Sequence, residues 1–169
     1  MRRKTGLLPM LLLAMSGLLA SGCTNNRAVQ SAIAAGWTRV DADKFFTFYL
    51  PESMRLVSEE RCEECAWGST YSDDRLRLYA EYTSWNEEFA PQYLAKQADY
   101  VKEIGELDSK AAKIQSWSLP EPVDGYRYTG EARIYDPRDG RLIARMSVWC
   151  KDASDLETAR SVFRTIRFR

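Results

Sequence analysis

The chain has no histidine among its 169 residues, only four cysteines, six prolines and no net formal charge. Without histidine it lacks the commonest general base, the commonest zinc ligand and every Ser-His or Cys-His nucleophile pair. An enzyme built on carboxylates, Lys or Tyr is still conceivable, but the expectation is a protein that is not an enzyme and carries no cofactor. No Gly-rich phosphate loop, internal repeat or low-complexity tract occurs. After Pro51 no stretch is long and apolar enough to span a bilayer, which takes about 20 residues.

What is present begins with the leader. Met1-Arg2-Arg3-Lys4 precedes an apolar run from Leu7 to Leu19 and then Ala20-Ser21-Gly22-Cys23, the three-part layout of a secretory signal. The run is too short for a permanent transmembrane helix, so residues 1–22 are expected to be removed. The last four residues resemble the bacterial lipobox, with Ala20 where that motif more often has Leu. The resemblance implies that Cys23 carries a diacylglyceryl thioether and becomes the mature N-terminus. Each buried methylene contributes about 0.8 kcal/mol, so two or three acyl chains hold a protein at a membrane almost irreversibly. Thr24, rather than Asp, follows the cysteine, which favours the outer membrane, periplasmic face. An ordinary secreted protein with a coincidental cysteine is the alternative.

Removing 22 residues from 169 leaves 147, a length that suits one domain with a sizeable core. Three of the 24 basic residues leave with the leader against none of the 24 acidic ones. The mild acidity that results argues against nucleic acid as a partner. Residues 23–36 read as a lipidated tether, polar from Thr24 to Arg27, with a short helix Ala28 to Gly36; residues 37–169 read as the domain.

Within that domain Trp37 to Val40, Phe45 to Leu50 and Met54 to Ser58 read as strands. Cys65 to Ser72 and Leu76 to Ser84 form a hairpin around Ser72-Asp73-Asp74-Arg75, with Leu76, Leu78, Ala80 and Tyr82 on one face and Arg77, Tyr79 and Glu81 on a solvated one. Phe89 to Ile104 switches to helical spacing, with Pro91 in its first turn and Gly105 after its end. Ala111 to Leu119, closed by Pro120-Glu121-Pro122, is the next strand. Gly125 to Tyr135 and Leu142 to Cys150 flank Asp136-Pro137-Arg138-Asp139-Gly140, whose Asp-Gly is a hairpin signal. Ser154-Asp155-Leu156-Glu157 reads as a capping box opening a last helix. Strands, helix, strands, helix, with hairpins between, predict an α+β fold: an antiparallel sheet with two main helices packed on it.

Phe45-Phe46-Thr47-Phe48-Tyr49-Leu50-Pro51 resembles the early aromatic strand of PsbP-like domains, and Ala159 to Phe168 resembles their last helix running into a Thr-Ile-x-Phe ending. Similar uncharacterised bacterial lipoproteins share that style. The resemblance implies an α/β/α sandwich and an accessory or assembly role. Its motifs are core-packing residues, and fold does not imply function.

Cys62-Glu63-Glu64-Cys65 is the motif that most invites chemistry. A redox pair needs an ionised thiol, yet Glu59, Glu60, Glu63 and Glu64 crowd this one and disfavour a thiolate. Structural use fits better, because an oxidising envelope favours disulfides. With Cys23 acylated one pair can form: Cys65 with Cys150 is preferred and Cys62 with Cys65 is the runner-up. A soft-metal site from two thiols has no second pair to complete it, and no metal is expected. The acidic pairs Glu59-Glu60, Asp73-Asp74 and Glu87-Glu88 do not follow Ca²⁺-loop spacing. Arg160, Arg164, Arg167 and Arg169 could touch anionic headgroups or simply form the polar face of the terminal helix. Among the five tryptophans, Trp149 faces away from the core side together with Arg145 and Ser147, and Trp149 with Arg145 is the candidate contact pair. The functional expectation is a membrane-anchored, non-enzymatic envelope lipoprotein that binds a protein or other envelope component through one sheet face. The alternative is a thiol-disulfide or thiol-metal protein acting through Cys62 and Cys65.

Overall fold

A computed structural model describes residues 20–60, 65–83 and 99–169, of which residues 20–25 and 65–66 are described by backbone alone. Helix α1 (Ala20–Ala34) leads into β1 (Thr38–Ala42), β2 (Phe46–Leu50), β3 (Arg55–Glu60), β4 (Cys65–Ser72) and β5 (Leu76–Thr83). Next come β6 (Val101–Leu107), β7 (Lys110–Val123), β8 (Tyr126–Tyr135), β9 (Leu142–Cys150), α2 (Asp155–Arg164) and β10 (Arg167–Phe168). Two antiparallel sheets result: three strands in the order β1-β2-β10, and seven in the order β3-β4-β5-β9-β8-β7-β6.

One face of the large sheet carries Leu76, Leu78 and Ala80 of β5, Ala144, Met146 and Val148 of β9, and Ala132 and Ile134 of β8, all buried. The small sheet and α2 cover it. Phe46, Phe48 and Leu50 come from β2 and Ala159, Val162 and Phe163 from α2, joining one apolar cluster. Phe46 meets Trp67 edge-on at 5.6 Å and Phe45 stacks on Tyr82 at 4.0 Å, so the small sheet docks on the β4–β5 end.

The architecture is mostly β, which overturns the α+β expectation of two main helices on a sheet and the α/β/α sandwich with it. The expected helix Phe89 to Ile104 lies mostly outside the described residues, but its last turn, Val101 to Ile104, is strand β6. Asp108 and Ser109 both take positive φ, 51° and 61°. This is the conformation of a two-residue primed hairpin turn, and it folds β6 back onto β7 from Leu107↔Lys110 to Val101↔Ser116. Short apolar periodicity cannot exclude a strand once such a turn supplies the pairing partner.

Further expectations are corrected. Helix α1 takes in Thr24–Arg27 instead of starting at Ala28, and Gly36 follows it at φ +73°. Strand β7 continues past Pro120 and Pro122 to Val123, its register shifting between Ser118 and Val123, where an irregularity tolerates missing N–H donors. The capping box does not form: Ser154 makes no side-chain cap hydrogen bond, and Glu157 pairs with Arg160 instead. Asp155, buried at the start of α2, is held by Arg75.

Cys65 lies opposite Thr83 on β5, whereas Cys150 lies opposite Leu76. Seven residues of β5 separate those positions, about 23 Å at about 3.3 Å per residue, and a disulfide needs Cα atoms within about 7 Å. The expected Cys65 to Cys150 bridge is therefore excluded by register, and Cys150 is a buried free thiol. Cys62 lies outside the described residues.

Candidate functional site: the polar face of the large sheet

Alternation along β9 buries Leu142, Ala144, Met146, Val148 and Cys150 and turns Ile143, Arg145, Ser147 and Trp149 to the other face. Register carries this second face across the sheet. Arg77 of β5 lies beside Trp149, Trp149 beside Thr129 of β8, and Thr129 beside Trp117 of β7. Two tryptophans thus flank Thr129, about 10 Å apart at about 4.8 Å per strand. Thr129 is fixed by donating from Oγ1 to the Val148 carbonyl at 2.8 Å.

Next to Trp149 the face opens into a recess of about 300 Å³ lined by Glu60, Thr70, Arg77, Tyr79, Tyr126 and Trp149, with Val123 and Asp124 on the rim. The β7–β8 turn builds that rim. Asp124 and Gly125 have φ of 52° and 83°, again a primed turn, and Arg77 reaches Asp124 at 3.9 Å. Gly68 shapes the floor: a Cβ there would stand 2.7 Å from the Tyr79 hydroxyl. The bare backbone lets the Tyr79 ring lie across β4 and donate to Glu81 Oε2 at 3.2 Å. Burial, and then the neighbouring Glu81 charge, push the Tyr79 phenol up to about 12. It is a neutral donor, not a base, at physiological pH.

From Tyr79 a polar row continues under the surface. Arg145 Nη2 meets Glu81 Oε1 at 2.6 Å, and Arg133 Nε meets Glu131 Oε1 at 2.5 Å. Gln115, opposite Glu131, accepts from the Tyr100 hydroxyl at 2.5 Å. Glu81, Glu131, Arg133 and Gln115 are all buried, Arg133 at 1 % exposure. The face expected to be solvated through Glu81 is therefore largely desolvated. Buried ionised groups persist only when paired, and each carboxylate here has its guanidinium.

Trp149 and Arg145 share this face, as the strand pattern indicates. Glu81, Glu131, Arg133 and Tyr79 are site residues that sequence reasoning misses, although each sits at the alternate, non-core position of its strand. That alternation marks the face but not the burial. Glu59 and Glu60 lie on β3; Asp73 caps its turn by accepting the Arg75 and Leu76 amides, and Glu87-Glu88 lie outside the described residues. Among the described residues no group of three or more His, Cys, Asp or Glu side chains could hold a metal ion. The C-terminal arginines are engaged within the fold: Arg160 with Glu157 and Ser116, Arg164 with Glu103, Arg167 with Asp108, Arg169 with Asp41.

No family model matches the chain, and no curated protein matches it. Among solved structures, that of cyanobacterial PsbP (CyanoP) from Synechocystis sp. PCC 6803 is 12 % identical, with a TM-score of 0.49 over 80 % of this chain and 94 % of that one. LpqN of Mycobacterium tuberculosis, involved in cell envelope biogenesis, is also 12 % identical, with a TM-score of 0.43 over 82 % of this chain and 94 % of that one. Likeness at this level bears on the fold alone, and neither neighbour assigns a role to the polar face.

Proposed function

We propose that this chain is a lipid-anchored envelope protein that works by binding, not by catalysis, and that its contact surface is the polar face around Trp149. The observation that carries the binding role is the recess itself. It brings Trp149, Tyr79 and Tyr126 together with Arg77, Glu60 and Asp124, and large amphipathic rings beside a few fixed polar groups are the usual composition of a contact site. The recess opens onto the Trp149-Thr129-Trp117 row, which extends the surface toward an envelope protein or other envelope component. The membrane address rests on the leader and on Cys23: an acylated Cys23 holds the domain beside the bilayer, with its outer-membrane, periplasm-facing placement favoured by Thr24.

Two measurements test this reading. Acyl labelling in cells should mark the wild-type chain and not Cys23→Ala, which should also leave the membrane fraction. A photocrosslinking residue at position 149 or 117 should give a discrete adduct that the same residue at Lys44, on the far side of the molecule, does not. Equal labelling of the Cys23 variant would remove the anchor, and adducts from position 44 alone would remove the contact face.

A further inference from the structure

Among the described residues the large sheet ends on β3 at one edge and β6 at the other, and the two edges differ. Strand β3 is irregular, its register against β4 shifting between Leu56 and Ser58, and it finishes on Glu59 and Glu60. Bulges and clustered charge of this kind blunt an edge. Strand β6 has no bulge, and its charges are of mixed sign, Lys102 against Glu103 and Glu106. Its seven residues pair with β7 without interruption, six of them are exposed, and Ile104 at 76 % is the most exposed large apolar side chain among the described residues.

The backbone of β6 is set for a further strand. Leu107↔Lys110 closes the two-residue turn and is therefore a hydrogen-bonded pair. Alternation then directs the N–H and C=O groups of Leu107, Gly105, Glu103 and Val101 toward β7 and those of Glu106, Ile104 and Lys102 outward.

The sequence of β6, Val101-Lys102-Glu103-Ile104-Gly105-Glu106-Leu107, is complementary to its own reverse. An antiparallel copy centred on Ile104 places Ile104 against Ile104, Lys102 against Glu106 twice, and Val101 against Leu107 twice. Glu103 falls opposite Gly105, where a Cβ would have met nothing within 4 Å, so the Glu103 to Arg164 ion pair at 3.2 Å is left undisturbed. Opposite charges directly across an antiparallel pair are favourable and like charges are not. A shift of register by two residues, the smallest that keeps the outward N–H and C=O groups paired, would put Ile104 opposite Lys102 or Glu106.

We infer that β6 is a homodimer edge: two copies of this chain join β6 to β6, antiparallel about a two-fold axis through Ile104, and merge their seven-stranded sheets into one. A two-fold contact uses the same patch twice, which this strand's self-complementarity satisfies.

Charge reversal tests the register. Lys102→Glu places four carboxylates along the seam, and Glu106→Lys places four ammonium groups there. Native mass spectrometry of the full chain in detergent should show wild-type dimer and each single variant weakened about tenfold or more. The two variants mixed should form a heterodimer, because every carboxylate of the first then faces an ammonium group of the second across the seam. Both sites are exposed, and an unchanged circular dichroism spectrum and thermal midpoint show that each variant is folded. A wild-type chain that stays monomeric up to about 100 µM, single variants that dimerise as well as wild type, or no recovery on mixing would each overturn the inference.

Discussion

Arg133 on β8 lies directly opposite Arg145 on β9, two guanidinium groups in the position where like charges repel most. Each is paired with a glutamate, Arg145 with Glu81 of the next strand and Arg133 with Glu131 two residues away on its own. Nη1 of Arg133 and Nε of Arg145 are buried without a hydrogen-bond partner. The quartet is balanced in charge and intolerant of losing any one member.

Glu131→Gln should therefore destabilise the fold by about 3–5 kcal/mol, the cost of leaving a buried charge unpaired. Urea denaturation would measure it. Replacing both partners, Glu131→Leu with Arg133→Met, should recover most of the loss. By contrast Arg138→Ala, which breaks an ion pair whose guanidinium side chain is 86 % exposed, should leave stability close to that of the wild type. Equal losses from Glu131→Gln and Arg138→Ala would mean that the quartet is not desolvated.

Alkaline pH should weaken the fold in two stages. Burial pushes the Cys150 thiol from 9.0 up to about 12, and burial with Glu81 pushes the Tyr79 phenol from 10.0 up to about 12. Both groups keep their proton longer in the folded state than in the unfolded one. Stability is therefore complete below about pH 9 and falls as pH rises toward about 12. Cys150→Ala should flatten the curve from about pH 9 upward and Tyr79→Phe from about pH 10 upward. A denaturation midpoint that rises across this range in the wild type would reverse the assignment.

Gly68→Ala should disturb the recess without touching the core. The added methyl would stand 2.7 Å from the Tyr79 hydroxyl, so the ring must swing aside and give up its bond to Glu81. The expected loss is about 1 kcal/mol, that of one hydrogen bond. The part of the alkaline decline that belongs to Tyr79 should shrink with it. A variant with wild-type stability and an unaltered alkaline curve would show that Tyr79 does not lie across Gly68.

Much of the strand layout is legible in the sequence because the side-chain period of a strand is a local property. The alternation of Leu76, Leu78 and Ala80 with Arg77, Tyr79 and Glu81, and of Val148 and Cys150 with Trp149, separates core positions from the others without any knowledge of partners. Asp139-Gly140 marks its hairpin for a similarly local reason: Gly140 takes φ +69°. Asp108-Ser109 makes a tighter, two-residue turn with residues that signal it less strongly, and the helical spacing before it points away from strand β6.

What the sequence determined alone is the candidate export leader, the candidate lipid site at Cys23, the absence of histidine chemistry, and which residues of β5 and β9 share a face. Only the tertiary structure decided that Cys65 and Cys150 lie at opposite ends of β5, that Val101–Leu107 is an edge strand, and that Glu81, Arg133 and Glu131 are buried in ion pairs. The reason is physical. Which way a strand residue points follows from its neighbours in the chain, whereas register, edge position and the covering of a face depend on contacts between residues far apart in sequence.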